Sequence, residues 1–415
     1  MMENNTQLKE MIRSMVIDIL QGQKQEMASS QPIKQVPRGQ FEPGVFDTVD
    51  EAIQAAKAAQ ARFEDCTLAT REKVIADIRA AMRPRVQELA QKTVEETGMG
   101  RVADKVLKLN LTLDKTPGVE DLVTECETGD NGMTLYELSA YGVIGAITPS
   151  TNPAETLICN TIGMLAAGNA VFFSVHPGAK HLSRLLVSEL NQIIAKSIGI
   201  ENLIVTLREP SIESAQEMML HPDVSLLVVT GGPGVVKQAL QSGKKVIGAG
   251  AGNPPAFVDE TADIKKAAQD IVLGASLDNN ILCIAEKSVV AMRQIEPQLV
   301  QEMVKAGCVL IENQQDIQRL VDLTVLPNGT PNKQFVGKNA SVILDAAHIP
   351  YNGDPRLIIM RTPKDHPFAV IEMLMPILPV VTVDSFDEGL DVCLMLEAGL
   401  HHTATMHSLN MERLN

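Results

Sequence analysis

The sequence predicts an α/β fold: a first domain built on a parallel sheet, a second α/β domain after it, and a helical tail at the N-terminus. Three observations carry this expectation. Between residues 141 and 230, short apolar and β-branched runs alternate with helical patterns, the rhythm of parallel strands joined by crossover helices. Three of those runs stop in turn chemistry, T-P-S-T-N-P from Thr148, S-V-H-P from Ser174 and T-G-G-P-G from Thr230. A chain of 415 residues, 45% hydrophobic and 21% charged, also holds enough apolar material for two or three ordinary domains.

Taken in order, the chain begins with Leu8, Met11, Ile12, Met15, Val16, Ile19 and Leu20 at helical spacing, one apolar stripe on a short helix. Asn4 and Asn5 are placed to cap it and Gly22 to end it, giving an amphipathic helix over residues 1–22. Residues 23–45 are polar and carry Pro32, Pro37 and Pro43, the composition of a linker. A tethered stripe either folds back on the body or docks in a partner's groove, and the tether favours docking.

From Thr48 to Lys108 the pattern is helical, with Pro84 opening a further helix, and a strand pair follows through Leu138. The expected strands are then 141–147, 170–175, 203–206 and 224–230, and the helices 153–167, 180–198 and 211–220. Ligands of such sheets lie at the C-terminal ends of the strands. The glycines of T-G-G-P-G at a helix start expose N–H groups suited to phosphate. The run G-A-G-A-G, Gly248 to Gly252, resembles a dinucleotide fingerprint, but Asn253, Pro254 and Pro255 lead it towards a strand instead of a helix. Its glycines point to backbone packed close to another group. The first domain is assigned to residues 46–245 and the second to 246–415.

In the second half a helix over 262–273 delivers the chain to S-L-D-N-N-I-L-C-I-A-E-K, Ser276 to Lys287. Cys283 has no neighbouring cysteine or histidine for a metal site or redox pair, so it is either a small core residue or a nucleophile. It lies near a strand–loop junction, ahead of S-V-V-A. Glu372, within apolar E-M-L-M-P-I-L-P, either has a polar partner or ligand or sits at a rim. His401, His402 and His407 fit no metal signature and read as structural histidines on a strand over 400–407. No metal is expected.

Composition narrows the partners. A net charge of −15, no tryptophan and three tyrosines argue against nucleic acid and anionic membranes. The six cysteines are scattered, which fits a reducing, cytoplasmic setting.

Together the motifs resemble the aldehyde dehydrogenase superfamily, in its CoA-acylating branch. The nearest group is the propionaldehyde dehydrogenases of propanediol-utilisation microcompartments; the acetaldehyde dehydrogenases of ethanolamine utilisation are similar. The matching stretches include E-T-G-M-G from Glu96, P-S-T-N-P from Pro149, H-P-G-A-K from His176, V-T-G-G-P from Val229, V-I-G-A-G-A-G-N-P-P from Val246, D-N-N-I-L-C-I-A-E-K from Asp278 and L-H-H-T-A-T-M-H-S from Leu400. The resemblance implies an NAD-dependent enzyme with coenzyme A as co-substrate, making propionyl-CoA from propionaldehyde. It implies Cys283 as nucleophile and Asn152 as oxyanion donor, although the superfamily's usual asparagine falls at Thr151. Glu372 matches the holder of the nicotinamide ribose. Thr230, Gly231 and Gly232 match the pyrophosphate helix; Thr148, Pro149 and Ser150 lie near the nicotinamide, His176 and Pro177 near the adenosine, and Gly250 is included in the cofactor site.

Two departures favour acyl transfer over hydrolysis. The general-base glutamate of hydrolytic members falls at Gly248, and their adenosine-side lysine is replaced by His176. The tail resembles that branch's encapsulation tail, implying a shell-protein partner for residues 6–21 and a place in the microcompartment lumen. Members of the branch continue past H-S-x-N with a glycine-rich segment, so a C-terminally incomplete catalytic domain is expected at Asn415, with a homo-oligomer when that segment is present. The alternatives are an acetaldehyde-preferring acylating enzyme, a hydrolytic aldehyde dehydrogenase, and an inactive, truncated cargo protein.

Overall fold

The computed structural model describes residues 42–415, which form one compact unit. The expected N-terminal helix, and the linker up to residue 41, lie outside the described residues.

The first layer opens with β1 (Val45–Phe46) and four helices: α1 (Val49–Glu64), α2 (Leu68–Met82), α3 (Val86–Thr97) and α4 (Val102–Lys115). Thr48 caps α1 and Thr67 caps α2 through their side chains, while Gly98, at φ 67°, ends α3. Pro84 starts a short 3₁₀ turn ahead of α3. An antiparallel hairpin, β2 (Glu125–Gly129) and β3 (Gly132–Tyr136), stands out with every residue exposed, Met133, Leu135 and Tyr136 among them.

The expected alternation follows: β4 (Val143–Thr148), α5 (Pro153–Ala166), β5 (Ala170–Val175), α6 (Lys180–Ile198), β6 (Ile204–Leu207), α7 (Ile212–Leu220) and β7 (Val224–Thr230). Then come α8 (Pro233–Leu240) and β8 (Lys245–Ala249). The sheet runs β1-β6-β5-β4-β7-β8 with all strands parallel. Strand order reverses at β4, so the loops after β5, β4 and β7 share the crevice where such sheets take ligands. Strand β8 was not anticipated. It pairs with β7, so residues 246–249, expected to open the second half, belong to the first sheet.

The second layer holds β9 (Pro255–Val258), α9 (Ile264–Ser276), β10 (Ser288–Met292), α10 (Glu296–Lys305), β11 (Cys308–Leu310), α11 (Gln314–Thr324), α12 (Ala340–Ala346), β12 (Leu357–Arg361), α13 (Pro367–Val370), β13 (Ile377–Val383), α14 (Phe386–Glu397), β14 (Thr405–His407) and α15 (Met411–Leu414). It is also a parallel six-stranded sheet, ordered β11-β12-β13-β10-β9-β14. The glycine run enters β9, a strand, as its prolines require. The strand expected over 400–407 is shorter. Only Thr405–His407 pairs, because His401 takes a left-handed φ of 51° and breaks the extended path. The first layer buries an apolar core around Phe172, Phe173 and Leu186, and the second buries two, one around Phe257, Val289 and Leu378 and one around Leu320, Ile358 and Phe368.

Candidate active site

The chain reaches Cys283 through an unusual turn. After α9, the residues Asp278, Asn279 and Asn280 take φ of 50°, 58° and 64°, three left-handed positions in a row. Left-handed backbone costs roughly 1–2 kcal/mol per residue, least for asparagine and aspartate, whose short polar side chains bond locally. Each of the three is at most 1% exposed, and each side chain is pinned. Asp278 Oδ1 accepts from the Arg101 N–H at 2.9 Å, and its Oδ2 accepts from Lys105 Nζ at 2.9 Å and Lys108 Nζ at 2.5 Å. Asn279 Nδ2 donates to the Gly337 carbonyl and to Asn339 Oδ1, both at 2.8 Å. Asn280 Nδ2 donates to the carbonyls of Ala275 (2.7 Å) and Glu286 (3.0 Å). Gly100, at φ 80°, lies against the Asp278 carboxylate with no room for a Cβ, a physical reason for the second glycine of E-T-G-M-G.

The far side of the turn is tied by Lys287, which is 3% exposed. Its Nζ donates to the Asn280 carbonyl (2.8 Å), Asn280 Oδ1 (2.6 Å) and the Leu282 carbonyl (2.8 Å). Burial pulls this ammonium down to about 8, against the opposing pull of Glu372, Cys283 and Glu286. Cys283 itself is half-buried. Burial and the Glu372 carboxylate push its thiol above the ordinary range, while Lys287 and the N–H groups of Cys283 and Ile284 oppose that shift. Glu372 is likewise raised by burial, against Lys287 and a hydrogen bond from the Gly252 N–H. The polar partner expected for Glu372 is therefore Gly252 backbone and Lys287 charge.

The glycine run supplies the third wall. A Cβ on Gly252 would meet His402 Cγ at 2.8 Å and the Cys283 carbonyl at 2.9 Å, so only glycine lets this segment between β8 and β9 approach the cysteine loop. The close approach falls at Gly252. At Gly250 a Cβ would meet nothing within 4 Å.

The other predicted residues gather at the edge of the first sheet. Thr148 ends β4 and is buried; Pro149 and Ser150 follow; Asn152 caps α5 without a capping side-chain bond. Asn152 Oδ1 accepts from Lys108 Nζ, and its Nδ2 donates to Thr151 Oγ1 at 3.3 Å. His176, after β5, accepts from the Gly178 N–H at 3.0 Å through Nδ1, and Pro177 is exposed beside it. Thr230 ends β7, and the Gly231 N–H donates to the Ala249 carbonyl at 3.2 Å. Gly232 caps α8 with no side-chain bond and open space around it.

Two helix starts on this edge differ. The first N–H groups of α6 are taken by Glu96, whose oxygens accept from His181 at 2.8 Å and Leu182 at 2.7 Å. The start of α8 carries no such carboxylate, which fits the pyrophosphate of a dinucleotide. Sequence reading missed Lys105, Lys108, Asp278, Lys287 and Glu96 as parts of the site. The available signal was D-N-N, three consecutive residues of the types that tolerate left-handed backbone.

Known proteins resemble this chain in sequence and fold. The sequence profile of the aldehyde dehydrogenase family matches residues 19–414. The chain is 47% identical over 413 residues to a CoA-propanoylating propanal dehydrogenase of Citrobacter freundii, covering 99% of this chain and 86% of the relative. An acetylating acetaldehyde dehydrogenase of Salmonella typhimurium is 44% identical over 393 residues, 93% of this chain and 83% of the relative. Among solved structures, Rhodopseudomonas palustris propionaldehyde dehydrogenase, with bound CoA and an acylated cysteine, gives a TM-score of 0.87 at 47% identity, covering 89% of this chain and 85% of that one. A propionaldehyde dehydrogenase from a fucose-utilisation microcompartment of Clostridium phytofermentans gives 0.87 at 46%, covering 90% and 86%. The chain belongs to the aldehyde dehydrogenase family.

Proposed function

We propose that this chain is a CoA-acylating aldehyde dehydrogenase that converts propanal to propionyl-CoA through a thioester on Cys283. The observation that carries the acylating reading is the packing of Gly252 on the Cys283 carbonyl. The segment that approaches the nucleophile brings glycine backbone and no carboxylate of its own, and the nearby Glu372 is engaged by the Gly252 N–H and the Lys287 charge, so water is poorly activated there and a thiol acceptor takes the acyl group. In support, relatives are named CoA-propanoylating and one was solved with CoA and an acylated cysteine.

In this reading the Cys283 thiolate adds to the carbonyl carbon, and its sulfur–carbon bond forms as the carbonyl pair moves to oxygen. The Cys283 N–H and the Asn152 amide hold that oxyanion. NAD, held by Thr230, Gly231 and Gly232 at the pyrophosphate, by Thr148 to Ser150 and Glu372 near the nicotinamide, and by His176, Pro177 and Gly250, supplies the hydride acceptor. Loss of hydride leaves the thioester; the thiolate of CoA then attacks it, and Cys283 leaves as thiolate. We assign nucleotide binding to the first sheet and its helices, and the nucleophile to the second.

The histidine segment takes part as well. The Clostridium phytofermentans relative was solved with one cysteine and, separately, one histidine exchanged for alanine, and those two positions have the spacing of Cys283 and His401. We assign His401 as the base that takes the proton of the incoming thiol. We also propose that residues 6–21 dock on a shell protein, that the enzyme works inside a microcompartment, and that it assembles as a homo-oligomer.

The test is NADH formation from propanal with and without CoA. Turnover that requires CoA is expected; equal turnover without it overturns the acylating reading in favour of hydrolysis. Cys283→Ala should abolish NADH formation. His401→Ala should keep the first burst of NADH and lose steady turnover.

A further inference from the structure

We propose that Lys108 is a positioning residue that sets the Asn152 amide against the cysteine turn; this rests on the reading of Asn152 as oxyanion donor. Helix α4 carries Lys105 and Lys108 three residues apart on its inward face, 0% and 8% exposed. Both ammonium groups stand between the same two segments. Lys105 Nζ donates to the Thr151 carbonyl at 3.2 Å and to Asp278 Oδ2 at 2.9 Å. Lys108 Nζ donates to Asn152 Oδ1 and to Asp278 Oδ2, the latter at 2.5 Å. One cation thus joins the loop that carries the proposed oxyanion donor to the turn that carries the proposed nucleophile.

The consequence for Asn152 is directional. A primary amide has an accepting end and a donating end, and nothing in its shape distinguishes them. An ammonium has hydrogens only. With Lys108 at one end, the amide must present its oxygen there, because the reversed amide would set its N–H groups against a positive charge. The –NH₂ end then faces away from Lys108. One of its hydrogens goes to Thr151 Oγ1 at 3.3 Å, and the second is left to an oxyanion. The cation persists in this buried place: burial disfavours it, but Glu155 and Asp278 more than reverse that and hold Lys108 above the ordinary lysine range. Glu155 Oε1 lies 3.3 Å from Nζ and pairs with the lysine alone among the described residues. Its charge therefore serves the lysine and competes for none of the amide's hydrogens.

The test is a double-mutant cycle on the first NADH burst of the full chain, with Lys108→Met, Asn152→Ala and both together. Asn152→Ala is expected to slow the burst by about 10²–10³-fold. Lys108→Met is expected to slow it by about 10²-fold, the cost of a misplaced group, with the KM for propanal and the rate of Cys283 alkylation by iodoacetamide close to those of the parent. The pair together should fall far short of the product of the two single effects, since Lys108 acts on the burst through that amide while Lys105 keeps its own bond to Asp278. Multiplying effects, or a burst loss matched by the loss in alkylation rate, would overturn the proposal and leave Lys108 a structural ion pair. An unchanged burst in Asn152→Ala would instead overturn the oxyanion reading beneath it. If Lys108→Met does not fold, Lys108→Gln replaces it. A neutral amide pairs with Asn152 either way round, so a slower burst is again expected, and a parental burst overturns the proposal.

Discussion

The turn after β7 and the turn before Cys283 do opposite things with the same kinds of small polar residues. At Thr230–Gly232 the chain leaves a helix start bare: no side chain caps α8, and nothing surrounds Gly232. At Asp278–Asn280 every side chain is buried and bonded, and the backbone is forced into a conformation that only those bonds sustain. An anion site, the role proposed for Thr230–Gly232, has to stay vacant until its ligand arrives, so its polar groups are left to water. A nucleophile, the role proposed for Cys283, has to be aimed before the substrate arrives, and this turn is fixed from both sides, by Lys105 and Lys108 on one and Lys287 on the other. The start of α6 shows the third case, a helix end already filled by Glu96 and therefore closed to a ligand anion.

The contrast is most open to attack at Asp278. Asp278→Ala leaves two buried lysines facing no carboxylate there, which is expected to cost about 3–5 kcal/mol in urea unfolding. Burial raises the Asp278 carboxyl, but Lys108 and Lys105 more than reverse this and hold it below its ordinary value of 3.8. Its contribution is therefore complete above that value and lost as pH falls through the lower folded one. Acid unfolding of the parent should show that loss, and the variant should not.

Gly252→Ala should come next, at about 1–3 kcal/mol, because its methyl overpacks against the Cys283 carbonyl and the His402 ring. Activity should fall with stability here; a stable, fully active variant would mean the Gly252 segment does not wall the cysteine. Lys287→Met and Glu372→Gln sharpen the electrostatics in opposite directions. Removing the cation should move the pH profile of Cys283 alkylation upward, and removing the carboxylate should move it downward. In the parent the profile should be stretched, since Lys287 discharges near pH 8 and withdraws its help as the thiol titrates. The smallest effect is expected at the open helix. Gly232→Asp should add a few tenths of a kcal/mol by capping α8, while raising the KM for NAD by placing a carboxylate at the proposed pyrophosphate position.

Much of the frame was legible in the sequence for a simple reason. Strands β5 and β7 and helix α6 are long apolar or periodic runs ended by glycine or proline, so their limits are written locally. Strand β8 was missed because K-V-I-G-A is short, glycine-interrupted and almost wholly exposed; it becomes a strand by pairing with β7. Cys283 and Glu372 were legible as residues, and their shared neighbourhood was not. Lys105 and Lys108 carry no local mark of burial, since lysines on an amphipathic helix ordinarily face water. What buries them is Asp278, far along the chain.

That separation has a consequence for how the protein is made. Lys105 and Asp278 are 173 residues apart, and Arg101 and Asp278 are 177 apart. At about 5–20 residues per second on the ribosome, α4 waits roughly 10–35 seconds for its carboxylate. Glu155 gives Lys108 an early partner within the first half; Asp278 is the carboxylate to which Lys105 bonds. Until it emerges, the Lys105 ammonium lacks the carboxylate to which it bonds in the folded chain. Contacts this distant in sequence are slow to close. The turn that carries the proposed nucleophile is therefore fixed last, when both halves of the chain are already present.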